Sequence, residues 1–158
     1  LNYGRWNLKA RFMYRFGNKV VNAARQNLES MSTANNQCST VNWRWRKDGD
    51  VTMIPRAIYV YDSNSAYNYQ GSDRFVEDGS FVRFQNLQIG YNFDKKVIKN
   101  WGLNDLKFYV TMNNLFCWTR YSGVDPETVN MTGLEPGIEG VTYYPIPRTF
   151  MFGVSLAF

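Results

Sequence analysis

The sequence predicts an all-β chain: a segment of an antiparallel transmembrane β-barrel with long extracellular loops. Three observations lead there. Four stretches alternate apolar and polar residues with the two-residue period of a strand. Their apolar sets are aromatic, in a chain of 158 residues that holds 11 Phe, 11 Tyr and 5 Trp. The connections between the stretches run long, short, long, the rhythm of barrels with short periplasmic turns and long external loops.

The first strand is expected over residues 5–16. Trp6, Leu8, Ala10, Phe12, Tyr14 and Phe16 share one face; Arg5, Asn7, Lys9, Arg11, Met13 and Arg15 share the other. A long loop, 17–80, follows. It opens with a helical stretch in which Val20, Val21, Ala24, Leu28 and Met31 recur at helical spacing. The second strand, 81–93, sets Leu87, Ile89, Tyr91 and Phe93 against Asn86, Gln88, Gly90 and Asn92. A periplasmic turn at 94–105 carries Lys95, Lys96 and Lys99 with turn-forming Asn100, Gly102 and Asn104. In the third strand, 106–116, Leu106, Phe108, Val110 and Met112 oppose Lys107, Tyr109, Thr111 and Asn113. Loop 117–147 is long again and rich in Gly and Pro. The fourth strand, 148–158, sets Phe150, Phe152, Val154, Leu156 and Phe158 against Thr149, Met151, Gly153, Ser155 and Ala157.

Strands of this length suit a bilayer, because about 9–11 tilted residues cross the hydrocarbon core. An apolar face toward lipid and a polar face toward a wet lumen satisfy both environments. Four strands cannot close a barrel, since small transmembrane barrels need about eight. An open sheet edge in lipid leaves unpaired backbone groups, each costing several kcal/mol. The chain is therefore expected to complete a larger barrel. It begins at Leu1 almost directly in strand pattern, with no basic-then-apolar leader, as a piece of something longer does.

Composition removes several classes. With no histidine in the chain, histidine triads and histidine metal sites are excluded. A hydrophobic share of 44% is too high for a disordered chain, and no apolar run is long enough for a transmembrane helix. Cys38 and Cys117 make neither a disulfide framework nor a zinc site. No cofactor is expected. Asp125, Glu127, Glu135 and Glu139 match no calcium loop, and no pair of acids stands in a catalytic setting. The net charge of +5 is carried by the first 25 residues, where Arg5, Lys9, Arg11, Arg15, Lys19 and Arg25 meet no acid. Interleaved with lipid-type residues, these do not read as a nucleic-acid surface. On the lumen face of the first strand, Arg5, Lys9, Arg11 and Arg15 either favour anionic substrate groups or pair with acids of neighbouring elements.

Three stretches carry a resemblance. Residues 72–91 read S-D-R-F-V-E-D-G-S-F-V-R-F-Q-N-L-Q-I-G-Y; residues 108–116 read F-Y-V-T-M-N-N-L-F, followed at 119–127 by T-R-Y-S-G-V-D-P-E; and Tyr144-Pro145 with Pro147-Arg148-Thr149-Phe150 opens the final strand. In this order they resemble the SusC/RagA family of TonB-dependent outer-membrane transporters, and Ile54-Pro55-Arg56-Ala57 is similar to a loop motif found there. Phe84 and Gln85 depart from the family, which more often has Leu and Lys at those positions. The resemblance implies the last four strands of a barrel of about 22 strands, with plug and TonB box lying before Leu1.

It further implies TonB-dependent import of oligomeric nutrients, glycan oligosaccharides first and peptides second, without catalysis, across a bacterial outer membrane. A SusD-like surface lipoprotein is the implied partner, with the TonB complex engaging through the absent N-terminal part and outer-membrane lipid surrounding the wall. Trp43, Trp45, Trp118, Arg120 and Tyr121 are the substrate-facing candidates. These aromatics, with Tyr59, Tyr61, Tyr67, Tyr69, Tyr143 and Tyr144, either stack on sugar rings, form an interfacial girdle, or pack the loops. Phe150, Phe152 and Phe158 mark an assembly terminus, a final strand read by addition to a sheet edge. The rival reading is a soluble β-barrel or sandwich module that binds sugar or lipid, with its apolar faces packed inward.

Overall fold

The computed structural model describes all residues except 33, 35, 59–67, 69, 128–136 and 140–143. It divides into two units, a wall unit (Leu1–Phe16, Ser80–Arg120, Ile146–Phe158) and a loop unit (Gly17–Gly79, Tyr121–Pro145).

The wall unit is one antiparallel sheet in the order β1-β2-β5-β6-β7. Its strands are β1 (Asn2–Tyr3), β2 (Trp6–Arg15), β5 (Phe81–Asn92), β6 (Asp105–Thr119) and β7 (Thr149–Ala157). The expected four strands are thus joined by a fifth, two residues long, which Gly4 at φ +56° folds back onto β2. Tyr3 pairs with Trp6 across that turn. Sequence periodicity has no purchase on a strand of two residues.

Register explains the faces. Leu8, Ile89, Val110 and Phe152 form one continuous row across four strands; Lys9, Gln88, Thr111 and Met151 form the adjacent row on the opposite face. The alternation of β5 breaks at Gln85, where the pairing shifts by one residue against β2. This bulge resets the parity. Phe84 and Val82 stay with the apolar face, opposite Phe12 and Tyr14, while Arg83 and Phe81 turn to the polar face. On β6 the pairing with β5 shifts at the same level, around Asn114, a non-glycine residue at φ +54°. Asparagine tolerates that left-handed conformation better than most residues. Past this point β6 continues to Thr119, beyond the expected end at residue 116, so Trp118 lies in a strand and not in a loop.

The expected turn at 94–105 is a small helical cap. Asp94 accepts a hydrogen bond from the Lys96 amide and starts α2 (Lys95–Ile98). Gly102, at φ +73°, ends the following 3₁₀ turn by donating from its amide to the Lys99 carbonyl. Ile98 is fully buried beneath it.

The loop unit corrects the expected helix. Val20 and Val21 belong to β3 (Lys19–Val21), paired antiparallel with β4 (Val76–Asp78), and α1 covers only Ala23–Leu28. β-Branched valines fit a strand better than a helix start, and Asn22 caps α1 by accepting from the Arg25 amide at 2.8 Å. Gly79 follows β4 because a Cβ there would lie 2.4 Å from the Asn18 side chain. The unit's core is Val20, Met31, Ile54 and Phe75. Among the described residues no helix is long and apolar enough to cross a membrane.

Candidate functional site

Three surfaces matter, and the apolar face of the wall comes first. Trp6 and Phe12 are each 54% exposed, Phe108 45% and Phe152 80%. A soluble sandwich would have buried them. The rings pack on one another along the sheet: Phe12 stacks on Phe84 at 4.5 Å, Phe116 on Trp118 at 6.0 Å, and Trp6 tilts against Tyr91 at 4.9 Å. Phe150 and Phe152 continue this face onto β7, whose outer edge has no strand beside it among the described residues; Phe158 follows, also exposed.

The opposite face is polar and internally bonded. The Asn86 amide donates to Asn113 Oδ1 at 2.7 Å, and the Asn113 amide donates to Thr149 Oγ1 at 3.0 Å. Gln88 donates to Thr111 Oγ1 at 3.3 Å. These neutral ladders cross three strands. Arg11 pairs with Asn86 in register, and Lys9 pairs with Gln88, so both cations stand on this face. Arg15 and Arg83 flank the Phe81 ring, with guanidinium carbons 6.0 and 5.8 Å from its centroid. Arg5 instead forms an ion pair with Asp94. Of the expected basic wall, therefore, one member is neutralised by a neighbouring acid and another covers an aromatic ring.

The loop unit is organised by carboxylates. Glu29 is buried and receives Arg25 Nε at 3.0 Å, Thr40 Oγ1 at 2.8 Å and the Arg74 guanidinium. Glu77 receives Arg25 at 2.9 Å, the Ser122 amide at 2.8 Å and the Ser122 hydroxyl at 2.7 Å. Burial raises the pKa of both acids, but these donors prevail and hold each below the ordinary 4.5. The Tyr121 hydroxyl donates to Glu139, whose other oxygen accepts from the Val124 amide at 3.3 Å. Burial, then the hydrogen bond to Glu139, pushes the Tyr121 phenol far above its usual range. Chain segments far apart in sequence are tied together by these acids, none of which sequence reasoning singled out for that role. The Arg25–Glu29 spacing of four on a helix was the available signal.

The substrate-facing candidates separate. Tyr121 is buried, its hydroxyl already committed to Glu139. Trp118 stands on the apolar face beside Phe116, which takes it away from the polar face. Arg120 is exposed at the end of β6. Trp43 is exposed, while Trp45 lines a cavity of about 710 Å³ with Ile54, Pro55, Arg56, Asn68 and Arg74. Tyr144 is exposed. Tyr59, Tyr61, Tyr67, Tyr69, Tyr143 and Glu135 lie outside the described residues. Among the described residues no acid or cysteine cluster could hold a metal ion, and Cys38 and Cys117 are not in disulfides.

A sheet whose aromatic face is exposed while its other face is hydrogen-bonded and polar is the wall of a membrane β-barrel. No protein-family model matches the chain. TonB-dependent receptor P3 of Formosa agariphila is 30% identical over 164 residues, taking in 100% of this chain and 15% of that protein. TonB-dependent receptor P39 of the same organism is 28% identical over 151 residues, 93% of this chain and 14% of that protein. TonB-dependent receptor SusC of Bacteroides thetaiotaomicron is 34% identical over 89 residues, 55% of this chain and 8% of that protein. The chain thus spans a small fraction of the length of these relatives. In structure it is similar to the RagAB peptide transporter, with a TM-score of 0.80 at 22% identity over 99% of this chain and 16% of that one. The RagAB peptide importer in the closed-closed state gives 0.78 at 23% identity over 97% of this chain and 16% of that one. The chain is a segment of a SusC/RagA-family TonB-dependent receptor.

Proposed function

We propose that the chain supplies barrel wall, external loops and the final assembly strand of a transporter that imports an oligomeric nutrient across a bacterial outer membrane. The carrying observation is the exposed aromatic face backed by a self-satisfied polar one, which suits lipid on one side and a wet lumen on the other. In this reading the turn at Gly4 and the α2 cap face the periplasm, and residues 17–80 and 117–147 are the external loops.

Uptake is driven by TonB through the plug of the full-length receptor, with a SusD-like lipoprotein closing over the outer loops. The chain carries no catalysis. Oligosaccharides are the first substrate class and peptides the second; the relatives named SusC and RagAB support a nutrient importer of this kind. Deleting the full-length gene is expected to abolish growth on one class of oligomer, and inactivating TonB to have the same effect. Uptake that persists without TonB overturns the proposal.

A further inference from the structure

We propose that the cap between β5 and β6 binds anionic phospholipid headgroups of the periplasmic leaflet, through three lysines set beside an indole. The sheet fixes where the cap stands. Along the apolar face, the Phe93 ring meets Tyr91 at 5.1 Å and Phe108 at 5.3 Å. Asp94 follows Phe93 directly and starts α2. Phe108 is 45% exposed, whereas Leu106, two residues nearer the turn on the same face, is buried, and α2 packs against β6. The cap thus sits where the aromatic wall stops, continuous with the face that meets hydrocarbon. On the cap itself, Val97 and Trp101 are 50% and 62% exposed. The Lys99 amide donates to the Lys95 carbonyl, which sets these two lysines one turn apart with Lys96 beside them. All three are exposed, and none is in an ion pair among the described residues. Asp94 is taken up by Arg5, which leaves exposed Asp105 as the other acid of this turn.

The chemistry selects a lipid headgroup. An indole has an apolar body and one N–H donor, which suits the boundary between acyl chains and phosphates. Lysine stems lie along apolar surface while their ammonium groups reach the phosphate layer. An anionic headgroup offers those ammonium groups an attraction that a zwitterionic one lacks, about fivefold in affinity for each lysine. A soluble polyanion would account for the lysines but leave Val97 and Trp101 in water. A lipid surface satisfies both sets of side chains at once.

This inference rests on the proposed orientation of the wall and is tested by lipid binding, independently of uptake. The full-length receptor in detergent is titrated with phosphatidylglycerol and separately with phosphatidylcholine, and bound lipid is counted by native mass spectrometry. Phosphatidylglycerol is expected to bind more tightly. Lys95→Gln, Lys96→Gln and Lys99→Gln combined should weaken it by about tenfold or more, with phosphatidylcholine held within about twofold. Lys99→Gln alone should cost about fivefold. Lys95→Arg, Lys96→Arg and Lys99→Arg combined keep the charge and should retain the preference. Trp101→Ala should weaken both lipids about threefold. Lys47→Gln, in the loop unit, should change neither. Three results each overturn the site: the parent binds both lipids equally, the combined Gln variant binds phosphatidylglycerol as tightly as the parent, or the lysine variants alter binding of lipopolysaccharide alone. Retained lipid preference with lost co-sedimentation on peptidoglycan sacculi would likewise overturn it and assign the lysines to the cell wall. Importer failure reads differently, as wild-type cells whose uptake is indifferent to TonB.

Discussion

The wall unit and the loop unit solve the problem of stability in opposite ways. The wall keeps its largest hydrophobic residues on the outside and neutral amides on the inside, so its apolar face depends on surroundings that are themselves apolar. The loop unit buries acids against arginines and joins distant segments by charge. The lesson is that one chain can carry two folding logics, each legible in what it buries. A wall in lipid gains from hydrophobic exposure; a loop unit in water must satisfy itself.

The sharpest way to break the comparison is to place a charge on the exposed aromatic face. Phe12→Arg should destabilise the full-length receptor in bilayers by about 2–4 kcal/mol, measured by denaturant titration. Equal stability of parent and variant would mean that this face does not meet hydrocarbon. In the loop unit, Glu29→Ala leaves two guanidinium groups without their shared acceptor and should cost about 2–3 kcal/mol. Hydrogen exchange should rise around residues 22–40 and 73–77 while β5 and β6 stay protected. Tyr121→Phe removes one hydrogen bond to the buried Glu139 and should cost about 1–2 kcal/mol.

Acid separates the units more gently. Glu29 and Glu77 have folded-state values below 4.5, so the stability they contribute is fully present above that pH and is lost as pH falls through the lowered values. Tyr121 works in the opposite sense: its raised value means stability present below 10.0 and lost as pH rises toward the folded value. Loop-unit exchange should therefore increase at the acid and alkaline extremes, with the wall's amide ladders unmoved because Asn86, Asn113 and Thr149 do not titrate. The smallest effect is expected at Lys9→Gln on the exposed polar face, within about 0.5 kcal/mol, checked by the same titration.

Much of the wall was legible because a strand with two unlike environments writes a period of two. Trp6 through Tyr14 shows it without interruption, and β7 nearly so. The failures fall where the period is broken on purpose. The parity of Phe84 and Phe81 is reset by the bulge at Gln85, and Asn114 takes a left-handed conformation inside β6, neither of which a period of two shows. The departure from family at Phe84-Gln85 falls at that bulge. In the loop unit, Val20 and Val21 misread as helix because β3 is only three residues long and its partner lies far along the chain, in β4. Around the cavity, Trp45 drew notice as an aromatic and Arg74 as part of the 72–91 motif, whereas Asn68 gave no local signal.

By itself the sequence determined which residues are paired with lipid and which with water along each strand, since that choice is local and periodic. It also determined the family, through three ordered motifs. Only the tertiary structure decided where the parity resets, which acids pair with which arginines, and which aromatic stands open on a cavity. Those outcomes depend on segments brought together across dozens of residues, and neither periodicity nor propensity carries that information.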